Sequence, residues 1–283
     1  MCLIGFALDP PGPWALVIAA NRDEYHQRAS EPAHWWPGGT LFAGRDRVAG
    51  GTWLGLARTG SELRIGALTN IRPGLRRGSA VSGAMPSRGT LVTGWLNSVA
   101  TPGDFLAALA GDAGDYAGFN LLAIRFRAAS HALAAGYLDN AATPAQPRAL
   151  AAGVYAVSNA TIDVPWPKTR RIGAAIGGAL ASHATGGDAA RLASDLFDAL
   201  ADRHPAVPVD LPSTGLDAAR ERLLSSIFIV DPVYGTRCST VIVVGRDGRT
   251  WFEERSFGPD GDLVAMVREV VAPAADQAGA IFS

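Results

Sequence analysis

The sequence predicts a mixed α+β fold built in layers. Three observations carry this expectation. Strand-like runs occupy both ends of the chain, amphipathic helical segments lie between them, and neither a G-x-G-x-x-G nor a Walker loop is present to suggest a doubly wound nucleotide fold. With 283 residues and 48% hydrophobic content the chain has ample material for a packed core, and residues 1–283 are expected to form a single domain.

The first element is a hairpin. Residues 2–8 and 14–20 are apolar runs separated by Asp9-Pro10-Pro11-Gly12-Pro13, a dense cluster of chain breakers. The next strands fall at residues 52–57, 63–69, 120–125 and 131–137. Between the second and third of these, Leu91, Trp95, Phe105 and Leu109 recur at helical spacing, which predicts two short amphipathic helices broken near Pro102-Gly103. The Ala/Pro-rich stretch 139–152 reads as an insertion, residues 155–158 as a strand, and residues 168–183 and 188–201 as helices. Strand signal returns at 227–230, 239–244 and 250–254, the last two joined by the hairpin turn Arg246-Asp247-Gly248.

Composition excludes several function classes. Twenty-five basic against 26 acidic residues provide no electrostatic footprint for a nucleic-acid backbone. No run approaches the ~20 apolar residues of a membrane span, and the opening lacks a cationic signal region, so a cytoplasmic location is expected. Cys2 and Cys238 are too few for a disulfide framework or a thiolate zinc site, and the five histidines show no metal-binding spacing, so neither a metal nor a cofactor is expected. Lys168 is the chain's sole lysine, which reads as a base-composition signature rather than a function.

Cys2 is the most informative position. Once the initiator Met is removed, one residue carries both a thiol and an α-amine of pKa about 7.7–8.0, so a nucleophile and its base coincide. The same residue reads equally as a small apolar side chain in a buried strand. Asn21-Arg22-Asp23-Glu24 closes the second strand, where a carboxylate can face a new α-ammonium and an Arg can favour a thiolate; it reads equally as a salt-bridged strand end. His34-Trp35-Trp36-Pro37, placed in a long loop, either roofs a pocket or packs.

Met1-Cys2, Asn21-Arg22-Asp23-Glu24, Ala43-Gly44-Arg45-Asp46, Gly50-Gly51-Thr52-Trp53-Leu54-Gly55, Ala67-Leu68-Thr69-Asn70 and Ser87-Arg88-Gly89 together resemble the NRDE family, also called the Transport and Golgi organisation 2 family. Gly118-Phe119-Asn120, Val157-Ser158-Asn159-Ala160, Pro165-Trp166-Pro167-Lys168, Ser225-Ser226-Ile227-Phe228 and Tyr234-Gly235-Thr236-Arg237 continue the resemblance over nearly the whole chain. That family is in turn similar to cysteine N-terminal nucleophile (Ntn) hydrolases such as penicillin V acylase. The resemblance implies a four-layer α-β-β-α sandwich of Ntn-hydrolase type and a cysteine amidohydrolase acting on a small amide or acyl substrate.

Carried over residue by residue, Cys2 matches the nucleophile and Asp23 the carboxylate that orients its amine. Asn159 resembles an oxyanion donor and Asn70 the other Asn of the motif set; a neutral amide can hold a developing oxyanion without titrating. Asn159 reads equally as turn or cap chemistry. Arg237 is the candidate for a distal Arg. This chain departs from the hydrolases at Ala20, where they carry an Arg beside the cysteine; Arg22 replaces it only if the strand stays extended, so that positions two apart share a face. Family members are also linked to haem trafficking and acyl-lipid homeostasis, which implies the alternative of a non-enzymatic protein binding a haem-like or acyl-lipid ligand in the same pocket.

Overall fold

The computed structural model describes residues 2–75 and 85–272. Met1 of the opening motif lies outside them. The chain opens with β1 (Cys2–Leu8) and β2 (Trp14–Tyr25), the expected hairpin, with the second strand running on through the whole Asn-Arg-Asp-Glu segment. It continues through β3 (Ser30–Trp35), β4 (Leu41–Asp46), β5 (Leu54–Thr59) and β6 (Glu62–Asn70). Helices α1 (Gly89–Leu96) and α2 (Pro102–Ala110) precede β7 (Phe119–Arg127), β8 (Ala132–Asp139), β9 (Arg148–Leu150) and β10 (Gly153–Val157). Three helices follow, α3 (Pro167–Ser182), α4 (Ala189–Leu200) and α5 (Ala218–Leu223), before β11 (Tyr234–Gly245), β12 (Thr250–Phe257) and β13 (Leu263–Val271) close the described chain.

The strands form two antiparallel sheets, one of order β10-β1-β2-β11-β12-β13 and one of order β3-β4-β5-β6-β7-β8-β9. Strand alternation sorts the side chains between them. Ile4, Phe6 and Leu8 of β1 join Leu56, Ile65 and Ile124 of the other sheet in one buried cluster, while Leu3 and Ala7 turn to the opposite face and pack with α3 and α4. A third cluster seats Leu91, Trp95 and Leu106 of α1 and α2 on the outer side of the seven-stranded sheet. Each such Leu or Ile contributes roughly 1.5–3 kcal/mol by leaving water. Gly5 lets α3 come close, because a Cβ there would sit 2.6 Å from Ile176 Cδ1.

Three sequence expectations are corrected. Residues 227–230 are not a strand: their backbone bonds go to Asp202 O, from Phe228 N at 2.8 Å, and to Thr236 Oγ1, from Ile229 N at 2.9 Å. The loop expected around His34 is instead the hairpin β3–β4 at the sheet edge. The insertion at 139–152 contributes β9, and β13 was not foreseen. The two short helices expected there are α1 and α2, separated by residues 97–101, and Pro102 opens the second, with Thr101 Oγ1 accepting from Asp104 N at 3.1 Å as the N-cap.

Candidate functional site

Cys2 opens β1, a strand flanked on both sides by neighbours, and lies directly opposite Arg22 of β2. Arg22 in turn lies opposite Cys238 of β11. Both thiols therefore flank one guanidinium on the face toward the other sheet. Ala20 is opposite Ile4 on that same face, so the extended strand does bring Arg22 to the side of the cysteine. Register shifts between Thr236 and Cys238, and this bulge inserts Arg237 beside Cys238 at the cavity wall.

These residues line a cavity of about 590 Å³ together with Asn70 and Arg88. Cys2 is 7% exposed, just enough to meet it. Burial, joined by the charge of the Asp23 carboxylate, pushes the Cys2 thiol above its ordinary value, opposed by Arg22 and by the backbone amide of Asp23. The sequence reading anticipated a thiol favoured as thiolate; burial works against that, and the arginine opposes it. Arg22 is anchored by Glu24 at 3.8 Å and Asp46 at 4.0 Å, and Arg28 Nε donates to Asp46 at 2.8 Å. Arg237 Nη1 donates to the carbonyls of Tyr25, His26 and Arg28 at 3.0–3.3 Å.

Asn21 and Asp23 point to the opposite face, toward the helices. Asn21 Nδ2 donates to Leu200 O at 3.0 Å and Ile227 O at 2.9 Å, which holds the irregular segment at 227–230 in place. Asp23 is buried; its Oδ1 accepts from Thr236 Oγ1 at 2.8 Å and its carbonyl from Tyr234 OH at 2.9 Å. Burial raises its pKa, and the Lys168 ammonium opposes that rise.

The two asparagines part company. Asn70, the last residue of β6, reaches the cavity. Asn159 is fully buried and absent from the cavity wall: its Nδ2 donates to the Asn70 carbonyl at 2.8 Å and its Oδ1 accepts from Ser158 Oγ at 3.1 Å. Ser158 Oγ also donates to the Cys2 carbonyl at 2.9 Å, so this corner ties the start of β1 to the end of β6 across the two sheets. Trp35 and Trp36 do not line the cavity; Trp36 Nε1 donates to Ala43 O at 3.0 Å and Trp35 packs on Phe42.

Sequence reasoning missed two residues. Cys238, read as a core residue, is at the cavity with its thiol far above the ordinary range, through burial and the neighbouring Glu254. Lys168, read as compositional, is 1% exposed at the start of α3, in the field of Asp23 and Cys2. Its position in Pro165-Trp166-Pro167-Lys168 was the available signal.

Among the described residues no helix is long and apolar enough to cross a membrane. Two facing antiparallel sheets, five α-helices among the described residues and a thiol-lined cavity at the start of β1 define a mixed α/β protein with its candidate site beside Cys2. The Transport and Golgi organisation 2 family model matches residues 1–259, and the chain belongs to that family. It is 32% identical to the Transport and Golgi organization protein 2 homolog of Bos taurus, over 91% of this chain and 93% of the relative. Identity to the Homo sapiens homolog is 31%, over 93% and 95% of the two chains. The Drosophila melanogaster Transport and Golgi organization protein 2 is 26% identical over 91% and 92%.

Proposed function

We propose that this chain is a cytoplasmic cysteine amidohydrolase of the N-terminal nucleophile type, acting on a small amide or acyl substrate after removal of Met1. The observation that carries this reading is the placement of Cys2 at the start of a strand inside the six-stranded sheet and at the cavity wall, with Arg22 alongside and Asp23 beneath. Helices packed on the outer face of each sheet support the four-layer α-β-β-α architecture of that class.

In this mechanism the Cys2 thiol passes its proton to its own α-amine as sulfur attacks the substrate carbonyl carbon. Asn70 donates to the resulting oxyanion, with Asn159 bracing it through the Asn70 carbonyl. The tetrahedral intermediate collapses with loss of the amine, which takes the proton from the α-ammonium. Water then cleaves the thioester, releasing the acid and restoring the thiol. Asp23 orients the α-amine, Arg22 steadies charge on sulfur, and Arg237 shapes the wall. Arg88 faces the cavity with its Nη1 donating to the Gly118 carbonyl at 2.9 Å and no ion pair within 4.0 Å among the described residues, which favours a substrate carrying an anionic group that competes with Glu24 for it.

The test is an intact-mass measurement of the cell-made protein followed by incubation with N-acyl p-nitroanilides. Loss of Met1, a Cys2-bound acyl adduct and loss of nitroaniline release in Cys2→Ser are expected. Quantitative retention of Met1 without turnover would overturn the proposal; a carrier of a haem-like or acyl-lipid ligand would instead keep its affinity in Cys2→Ala.

A further inference from the structure

Lys168 Nζ is buried and has no hydrogen-bond partner among the described residues. Burying an ammonium outside any hydrogen bond is costly, so its placement calls for a cause.

The packing of α3 supplies the location. Ile172 and Ile176 lie over Gly5 of β1, and Ala184, just past the helix, lies against Gly12 beyond the other end of the strand. The helix therefore runs in the same direction as β1. Lys168 is one turn before Ile172, ~6 Å back toward the Cys2 end, and Cys2 is three residues before Gly5, ~10 Å along the strand. The lysine thus lies on the helix-facing side of the sheet under the start of β1, where β2 presents Asp23.

The two arginines near it have acids of their own. Arg72, from the loop after β6, donates to Glu221 at 2.5 Å and Thr214 at 2.6 Å. Arg171, on α3 itself, donates to Asp202 at 2.8 Å. Tyr234, from β11, gives its hydroxyl to the Asp23 carbonyl, and Cys2, from β1, offers a thiol. Asp23, presented by β2 on this side of the sheet, is the carboxylate whose charge acts on Lys168.

We infer that Lys168 is a positioning residue of the N-terminal site: its ammonium shares the Asp23 carboxylate with the α-amine of Cys2 and so keeps that amine able to shed its proton. The inference rests on the nucleophile reading above. A carboxylate alone beside a buried α-ammonium would hold the proton in place and leave the thiol without a base. Two cations on one carboxylate disfavour each other, and the proton leaves one of them near neutrality. Burial lowers Lys168 to about 8 while Asp23 pulls it up, which puts the lysine in the titration range of the amine it opposes.

Because Lys168 is the only lysine, ¹³C-lysine labelling of the full chain gives one Cε signal to titrate. Its midpoint should fall well below the ~10.4 of a free lysine and drop further in Asp23→Asn. An ordinary midpoint, or one unmoved by Asp23→Asn, overturns the inference. In Met1-free protein, Lys168→Met should raise the midpoint of Cys2 alkylation by about one pH unit, a tenfold slower reaction at neutral pH, whereas Lys168→Arg stays near wild type. A folded Lys168→Met with the wild-type midpoint overturns it too, and where that variant does not fold the lysine titration decides. Slow wild-type alkylation at Cys2 with a shifted lysine signal would instead strike the nucleophile reading.

Discussion

Cys2 and Cys238 are buried on the same sheet face, each opposite Arg22, yet they occupy different chemical worlds. Cys2 has a backbone amide and an arginine to favour its anion, and its strand begins there, so an α-amine can be produced at the same residue. Cys238 is in mid-strand, next to the buried Glu254, whose Oε1 accepts from Ala33 N at 2.8 Å and whose Oε2 accepts from Thr240 Oγ1 at 3.3 Å. Burial raises both thiols, but the carboxylate drives Cys238 far higher. A shared cation does not make two thiols alike: Asp23 raises Cys2 by its charge, whereas Glu254 raises Cys238 by both charge and hydrogen bond, and only Cys2 stands at a strand start.

The largest effect expected from this contrast is in reactivity. In Met1-free protein at pH 7, iodoacetamide should modify Cys2 at least about tenfold faster than Cys238, and Cys2→Ala should remove the fast component, as peptide mapping would show. Equal slow rates, rising only toward the ordinary thiol value of ~8.5, would erase the distinction. Arg22→Gln comes next: losing the shared guanidinium should raise the alkylation midpoints of both cysteines, by about one pH unit for a charge at such range. A shift at one thiol alone would break the symmetry of the arrangement.

Glu254→Gln sharpens the comparison from the other side. It should lower the Cys238 midpoint and leave Cys2 in place, because Glu254 raises the Cys238 thiol. The smallest effect is on stability. The Cys238 thiol is raised on folding, so its contribution is complete below the unfolded thiol value and is lost as pH climbs above it. Denaturant titrations of Cys238→Ala should therefore show a shallower loss of stability above about pH 8.5 than wild type.

Much of this site was legible because it is made from consecutive strand residues. A hairpin with an apolar run on either side of Asp9-Pro10-Pro11-Gly12-Pro13 fixes which residues of β1 and β2 alternate, so Cys2, Arg22 and Asp23 could be brought together before any coordinates existed. What stayed hidden comes from elsewhere in the chain. The bulge at Arg237 leaves no mark in the residue pattern, so the arrival of Cys238 at the cavity was invisible. Lys168 reaches the site only through the packing of α3 on Gly5, a contact between residues far apart in sequence. The four apolar residues at 227–230 look like a strand, but Asn21 captures the Ile227 carbonyl and holds the backbone outside the ladder. Asn159 shows the opposite failure: its motif was visible, while its amide is committed to the Asn70 backbone.

The position of Arg22 between the two cysteines also settles how the cavity meets an oxidant. Two strand spacings of ~4.8 Å hold the two Cα atoms about 9–10 Å apart, beyond the ~7 Å that a disulfide can bridge without moving the backbone. The sheet acts as a rigid ruler between its sulfurs. Peroxide would therefore leave its mark as separate oxidised thiols, each open to repair by a small external thiol, and never as an internal cross-link that closes the pocket.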